Sequence, residues 1–202
     1  TPEVKPELEA LPDDLAAEER SPLEEKIEGK EIYLQKNPIL NAAGFPFSML
    51  PIPIVYMSGD RAGNMDNVIF TFGEDTCTMT WDEGDEHNTI VCGMDGKART
   101  SPITLAGMNF TAFSTAAWIR ENALEVHMRP IGGICMRKIK FSFDGRRVKV
   151  HPSSQMSITA MAKSLALDVD SFFPSILHNF GLVAFDQLPA IIDAPIFGRI
   201  EN

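Results

Sequence analysis

The stretch MRKIKFSFDGRRVKV, residues 136–150, shows the clearest β-strand pattern in this chain of 202 residues. Between residues 139 and 143 apolar side chains alternate with polar ones, and a strand with one buried and one solvated face has this period of two. The dipeptide Asp144-Gly145 is favoured in tight hairpin turns, and the alternation resumes after it. The stretch therefore predicts an antiparallel β-hairpin.

Similar alternation occurs upstream of this hairpin. In residues 76–81 cysteine, methionine and tryptophan alternate with threonines, and an acidic turn at 82–87 leads into a returning strand at 89–92. We expect about eight to ten strands, joined mostly by short turns, each with one buried face. An antiparallel meander of this size closes into a barrel, because closure leaves few strand edges exposed. Further strands are predicted at residues 30–34, 67–72, 110–118 and 124–128.

Composition divides the chain into three parts. Residues 1–27 are acidic, contain four prolines and few large apolar side chains, and predict a linker or tether with short helical turns. Residues 28–156 carry the strand pattern and predict the barrel domain. Residues 157–202 predict a helical and irregular extension, with short helices at 158–167 and 171–180 and then an apolar tail that docks on another surface.

The charge of the chain is concentrated at its ends. The formal net charge is −10, from 28 acidic and 18 basic residues. The first 31 residues hold 11 acidic and 4 basic side chains, and residues 168–202 hold 5 and 1. Binding to nucleic acid or to an anionic membrane generally requires a basic surface. Since no apolar run approaches the length of about 18 residues that a spanning helix needs, we expect neither nucleic acid nor membrane as a partner.

Cysteine usage and the start of the chain leave the cellular compartment open. The chain begins at Thr1 without a signal peptide, and we expect a cut or processed chain whose targeting signal would lie upstream. Three cysteines, an odd and low count, do not form a disulfide framework. Cys77 and Cys92 flank a predicted hairpin, so that either one disulfide or two small buried thiols is expected there.

No sequence motif assembles a catalytic or metal site. The four histidines show none of the spacings that bind metal ions, and the acidic turn at 82–87 lacks the ordered carboxylates of a calcium loop. The chain contains no Gly-x-Ser-x-Gly, Ser-x-x-Lys or Lys-Thr-Gly motif and no glycine-rich phosphate loop. We therefore expect no catalytic residue, no metal, no cofactor and no enzymatic activity. The acidic turn is expected to be solvated, with His127 and His151 on the surface.

A cluster of basic residues follows residues 137–149. One interpretation is a patch for an acidic partner, such as the chain's own acidic linker, and the other is an ordinary solvated strand face. That face lacks stacking aromatics, so single-stranded nucleic acid is not expected to bind. A helix-turn-helix over residues 158–179 is not expected either, because Pro174 would break its second helix. The cluster consists of Arg137, Lys138, Lys140, Arg146, Arg147 and Lys149.

Six large apolar residues are expected to face the barrel interior. They are either contacts for a small apolar ligand, which a barrel of about this size can hold, or parts of a filled core. These residues are Trp81, Trp118, Met79, Met128, Phe141 and Phe143.

Several short motifs carry a resemblance to a known kind of domain. The run DTCTMTW at 75–81 leads into EHNTIVCG at 86–93, and NALEV at 122–126 precedes FSFDG at 141–145. Taken together, residues 28–151 resemble the C-terminal β-barrel domain of bacterial serine hydrolases of the class C β-lactamase and penicillin-binding-protein type. The resemblance implies a lipocalin-like barrel attached to an upstream hydrolase domain. Because this chain has no Ser-x-x-Lys motif, no catalytic residue carries over.

Three hypotheses about function follow. The first is a non-catalytic accessory barrel that packs on or gates an upstream serine hydrolase domain, or that aids assembly, including a homo-oligomer. The alternative is a lipocalin-like protein that binds a small apolar ligand, and a filled core with no pocket beside Trp81 and Trp118 would count against it. The third is a hydrolase in its own right.

Overall fold

The computed structural model describes residues 20–38, 47–49, 63–131, 136–154 and 194–201. Most of the predicted linker, and both helices predicted at 158–167 and 171–180, lie outside the described residues. The described residues form one short helix and ten strands. The helix is α1 (Glu24–Ile27), and the strands are β1 (Glu31–Leu34), β2 (Met65–Phe72), β3 (Thr76–Glu83), β4 (Glu86–Gly93), β5 (Arg99–Leu105), β6 (Met108–Arg120), β7 (Ala123–Pro130), β8 (Arg137–Asp144), β9 (Arg147–Ser154) and β10 (Ile196–Ile200).

All ten strands belong to one sheet, and the sheet closes on itself. The strand order is β4-β3-β2-β1-β10-β9-β8-β7-β6-β5, and neighbours in this order are antiparallel. A parallel contact between Gly93 on β4 and Thr115 on β6 closes a ring of nine strands, and β5 lies outside this ring, paired with β6. The predicted mainly antiparallel β-barrel is therefore confirmed.

Two strands of the barrel were not expected from the sequence. β5 contains Pro102, which cannot donate a backbone hydrogen bond and weakens the strand signal. β10 comes from the residues assigned to the C-terminal extension, and it lies between β1 and β9. Ile200 pairs with Ile32 on β1, and Ile196 pairs with Val150 on β9. The barrel is therefore a meander with a late strand inserted beside its first one.

Two tight turns have the left-handed backbone angles that hairpins of a right-twisted sheet require. In the β8–β9 turn Asp144 pairs with Arg147, and Gly145 has a φ of 58°. In the β5–β6 turn Ala106 and Gly107 have φ values of 52° and 73°. The first of these turns lies where the Asp-Gly dipeptide predicted it.

Within the described residues, β4 and β5 form no regular ladder of backbone hydrogen bonds. Side chains join these two strands instead. The Asn88 amide donates to the Thr104 carbonyl at 2.7 Å and accepts from the Thr104 N–H at 2.9 Å, as a paired strand residue would. The Ser101 hydroxyl accepts from the Val91 N–H at 2.8 Å. The Glu86 carboxylate accepts two backbone N–H bonds from the β5–β6 turn. This seam therefore depends on a few polar side chains.

Replacing Asn88 with alanine is expected to weaken the seam. The change leaves both backbone groups of Thr104 without their partner, and we expect the free energy of unfolding to fall by about 1–3 kcal/mol. Urea unfolding measures the loss. Thr89→Ala is the control, because that exposed side chain bonds Thr80 across the outer surface, away from the seam. Equal losses in the two variants would contradict the seam's dependence on Asn88.

α1 lies across the end of the barrel that contains the β2–β3 and β6–β7 turns. Ile27 of this helix is buried in the core. The Trp118 indole N–H donates to Glu24 Oε1 at 2.6 Å, and its ring lies 6.2 Å from Phe72 and 5.9 Å from Phe143, measured between ring centroids. An aromatic layer and a helix thus close this end.

Candidate functional site

The interior of the barrel is apolar along most of its length. The structure places all six sequence-predicted residues on the interior wall, where their exposed fractions lie between 0% and 6%. They form two groups, because Trp118 and Phe143 meet beside α1, whereas Trp81 lies toward the other end of β3. Neighbouring side chains already cover both indole rings. That these six residues contact a ligand stays a prediction.

A buried carboxylate lies at the end of the barrel opposite α1. Glu83 is 1% exposed and accepts hydrogen bonds from the Ser48 hydroxyl, the Met49 N–H at 3.0 Å and the Trp81 indole N–H at 3.2 Å. Burial raises the pKa of Glu83 from 4.5 to about 7, although these three hydrogen bonds favour the charged form. The expectation that Glu83 is a solvated turn residue is wrong. Glu83 lies two residues after Trp81 and four after Met79 on β3, so that its side chain points to the same inner face as theirs.

A buried guanidinium lies on the neighbouring part of the same rim. Arg137 is 3% exposed, and its Nη1 and Nη2 donate to Ser154 Oγ and to the Ser48 carbonyl, each at 3.0 Å. The sequence placed Arg137 in the solvated basic cluster, and the structure corrects this. Arg137 shares the parity of Phe141 and Phe143, which point into the barrel, whereas the lysines beside it point outward.

Ser48 connects the two buried charges, because its hydroxyl bonds Glu83 and its carbonyl accepts from Arg137. The adjacent Met49 is 0% exposed and belongs to the hydrophobic core. The Phe47 backbone is held by Met65 and Asn64. Residues 47–49 therefore form a segment, here called the mouth segment, that lies in the rim of the barrel. No alternation of apolar and polar side chains indicates this segment in the sequence.

One interior hydroxyl has no hydrogen-bond partner among the described residues. Ser114 is 1% exposed, and its Oγ is unsatisfied. It lies on β6 between Ala112 and Ala116, which have the same inward parity and are both fully buried. Small side chains and an unpaired donor thus occur together on this strand. No motif or pattern in the sequence distinguishes Ser114 as a site residue.

Cys77 and Cys92 face each other across β3 and β4 as free, buried thiols. Burial raises the pKa of both thiols well above the ordinary value. They therefore remain protonated at neutral pH, and the thiolate that reacts with oxidants is scarce. The buried-thiol alternative is confirmed.

Of the three histidines in the described residues, two are exposed and one is buried. His87 and His151 are exposed, as expected, and His87 Nδ1 lies 2.7 Å from Asp82 Oδ1. His127 was also expected on the surface, but it is only 3% exposed. It lies on the outer side of β7, in a small crevice that Phe113 and Met136 also line.

His127 also forms a hydrogen bond with a carboxylate on its own strand. Its Nε2 lies 2.8 Å from Glu125 Oε1, and this hydrogen bond is the main cause that lowers the pKa of Glu125. Among the described residues, no group of three or more His, Cys, Asp or Glu side chains is placed to hold a metal ion. No helix in the same residues is long and apolar enough to cross a membrane.

No family model and no curated protein matches the chain. Solved structures of small β-barrels do match it. A Schistosoma mansoni fatty acid binding protein in complex with arachidonic acid is 12% identical, with a TM-score of 0.41 over 65% of this chain and 90% of that one. The Manduca sexta fatty-acid-binding protein is 14% identical, with a TM-score of 0.38 over 64% and 90%. Human cRBP IV is 10% identical, with a TM-score of 0.39 over 64% and 90%.

These similarities are distant, and they concern the barrel. Nothing in the comparisons links the chain to class C β-lactamases or penicillin-binding proteins, so that the finer part of the sequence resemblance finds no support. The chain is a closed β-barrel whose reported structural neighbours are barrels of the fatty-acid-binding-protein and lipocalin kind.

Proposed function

We propose that the barrel binds a small, mostly apolar molecule with one polar group in its interior. A closed barrel of eight strands is just wide enough to be filled by side chains or to hold one small ligand, and diameter grows with strand number. The closed ring of this barrel has nine strands, and its interior wall is apolar. Met79 and Met128 in that wall have flexible side chains that adapt to a guest.

The unsatisfied hydroxyl of Ser114 is the observation that carries this proposal. A buried polar atom without a partner costs roughly 1–3 kcal/mol, and native proteins rarely leave one unpaired. The polar group of a ligand lying along β6 supplies a partner, and the alanines on either side of Ser114 present only methyl groups to it. The sequence-predicted aromatic and methionine residues then form the apolar part of the site.

Entry is expected at the rim that holds Glu83 and Arg137. In the structure Met49 fills this rim, so that a ligand competes with the mouth segment for the same space. The opposite end is closed by α1 and by the aromatic layer around Trp118. A ligand therefore reaches Ser114 by displacing the side chains of the mouth segment, and binding is expected to be slow rather than diffusion-limited.

Titration of the purified chain with a fluorescent long-chain fatty acid tests the proposal. We expect saturable binding at one site, and Ser114→Leu is expected to weaken it at least about tenfold, because the larger side chain would occupy the position proposed for the ligand. Ser142→Leu is the matched control, because that side chain lies on the outer side of β8. Ser114→Ala, which keeps the space, covers the case in which the leucine variant fails to fold, and we expect it to weaken binding only of ligands with a polar group.

Two results would overturn the proposal. One is the absence of saturable binding. The other is binding that neither Ser114 variant changes, since the ligand would then lie elsewhere.

A second candidate is a non-catalytic accessory barrel that supports or gates another domain, such as an upstream serine hydrolase. It is favoured by the close packing of the interior, where Trp81, Phe70 and Phe141 are all at most 1% exposed. A barrel that serves only as a scaffold is expected to be filled in this way. Removing residues 28–202 from the full gene product tests it, and unchanged turnover, substrate range and assembly would contradict it.

Neither candidate gives the barrel a reaction of its own. We propose that the chain is not catalytic, as its sequence motifs indicate. Hydrolysis of an acyl substrate by the purified chain, abolished by changing a single serine, would contradict this.

A further inference from the structure

The outer wall of the barrel carries a groove that the proposed interior site does not use. The groove has a volume of about 750 Å³ and lies over β1, β10 and the β8–β9 turn. Small-molecule sites commonly have volumes of roughly 300–1,000 Å³. Its lining consists of Gln35, Asp144, Arg146, Arg147, Phe197, Gly198 and Arg199.

Two arginines face each other in this groove. Arg199 on β10 is the direct cross-strand partner of Arg147 on β9, and like charges in such positions destabilise a sheet. Both side chains are exposed, and neither forms a salt bridge within the described part of the chain. Arg146 lies beside them, with its Nε donating to the Ile200 carbonyl at 3.3 Å. Asp144 supplies the single negative charge among the lining side chains.

Two exposed aromatic rings flank these arginines. Phe197 is 57% exposed and lies opposite Lys149, and Tyr33 is 47% exposed and lies opposite Arg199. The basic hairpin itself carries no stacking aromatics on its outer face, as predicted, but two neighbouring strands place aromatic rings beside it. Because β1 and β10 come from distant parts of the chain, only the strand order places their rings beside the basic face of β9.

We propose that this groove binds an organic phosphate that carries a planar ring, of the size of a nucleoside monophosphate. Guanidinium groups bind phosphate oxygens in pairs of parallel hydrogen bonds, and an anion between Arg147 and Arg199 removes their mutual repulsion. The exposed ring of Phe197 offers a surface on which the planar group stacks. A concave site of this volume fits a small ligand better than the flat surface of a lipid bilayer.

Calorimetric titration of the full chain with AMP tests the proposal. We expect one saturable site, with affinity that falls as salt is added. The double variant Arg147→Ala/Arg199→Ala is expected to lose at least about tenfold in affinity. The matched control is Lys138→Ala/Lys140→Ala, which removes the same charge from the outer face of β8, outside the groove, and is expected to bind AMP almost as the unchanged chain does.

Two further measurements distinguish a built site from general attraction of anions. Phe197→Ala is expected to weaken AMP binding several-fold and to leave the binding of inorganic phosphate unchanged. The variant Arg199→Gln is expected to keep or raise the midpoint of thermal unfolding, because it removes a repulsive pair. This second readout also shows that weaker binding in the arginine variants is not caused by unfolding.

Several outcomes would overturn the proposal. Equal losses in the arginine and lysine variants would indicate attraction of any anion to the basic hairpin. Binding of a single-stranded oligonucleotide or of anionic vesicles, without binding of AMP, would assign the face to a polyanion or to a membrane. Binding to none of these probes would leave the groove without the function proposed. Fatty-acid binding in the interior is measured separately, and its result does not bear on this one.

Discussion

Replacing Gly93 with alanine is expected to prevent normal closure of the barrel. A Cβ atom at this position would lie 1.7 Å from the Lys97 carbonyl oxygen, far inside any van der Waals contact. Gly93 also makes the parallel contact with Thr115 that closes the ring of strands. Because the obstacle is backbone, the loop after β4 has to move, and we expect the free energy of unfolding to fall by more than about 3 kcal/mol. Urea unfolding with intrinsic tryptophan fluorescence measures this loss.

Gly96→Ala separates this steric effect from an effect of backbone conformation. Gly96 has a φ of 78°, where alanine is strained, but nothing lies within 4 Å of an added Cβ. We expect this variant to lose only about 1–2 kcal/mol. If Gly93→Ala costs no more than Gly96→Ala, the close approach of the Lys97 carbonyl does not limit the packing there.

The stability of the barrel is expected to fall as the pH rises from about 4.5 to 7, and Glu83 is the reason. The pKa of Glu83 is raised from 4.5 to about 7 in the folded chain, so that the folded state holds more protons than the unfolded state between these values. Stability from the neutral carboxyl is therefore fully present below the unfolded pKa and is lost as the pH passes through the folded one. The contribution amounts to roughly 3 kcal/mol.

The variant Glu83→Gln tests this dependence. Glutamine keeps an acceptor for the Met49 N–H and the Trp81 indole but does not titrate, so that we expect a flat profile of unfolding free energy over this range of pH. Above pH 7 the variant is expected to be at least as stable as the unchanged chain. Glu74→Gln, at an exposed turn position, is the control and should keep the slope. A slope that survives in Glu83→Gln would show that another group causes it.

The alternation of side chains made most of the barrel predictable. The strand at 76–81 and the hairpin around Asp144-Gly145 occur where the sequence placed them, because each side chain there fits its face. β5 and β10 were missed for local reasons, since Pro102 interrupts one and Gly198 the other. A strand with a weak sequence pattern can still form, because neighbouring strands of the barrel supply its hydrogen-bond partners.

The candidate sites were much harder to predict. The alternation along β3 and β8 places the side chains of Glu83 and Arg137 on the inner face of the barrel. Charged residues are seldom buried, however, so their residue type predicted an exposed position. Ser48 forms hydrogen bonds with both Glu83 and Arg137. It lies in a segment whose side chains show no regular alternation. The groove depends on Arg199 lying opposite Arg147, and this register follows from closure of the whole barrel. Such contacts depend on strand order, which side-chain patterns do not encode.

The strand order also separates charge across the molecule. Hairpin β3–β4 lies on the far side of the barrel from hairpin β8–β9. Residues 74–86 contain six acidic and no basic side chains, whereas residues 136–154 contain six basic and one acidic. The barrel therefore has an electric dipole, and a field exerts a torque on it. Within the Debye length of about 8 Å at physiological salt, an approaching anion is attracted to the basic hairpin and repelled by the acidic one, even though the chain as a whole is acidic.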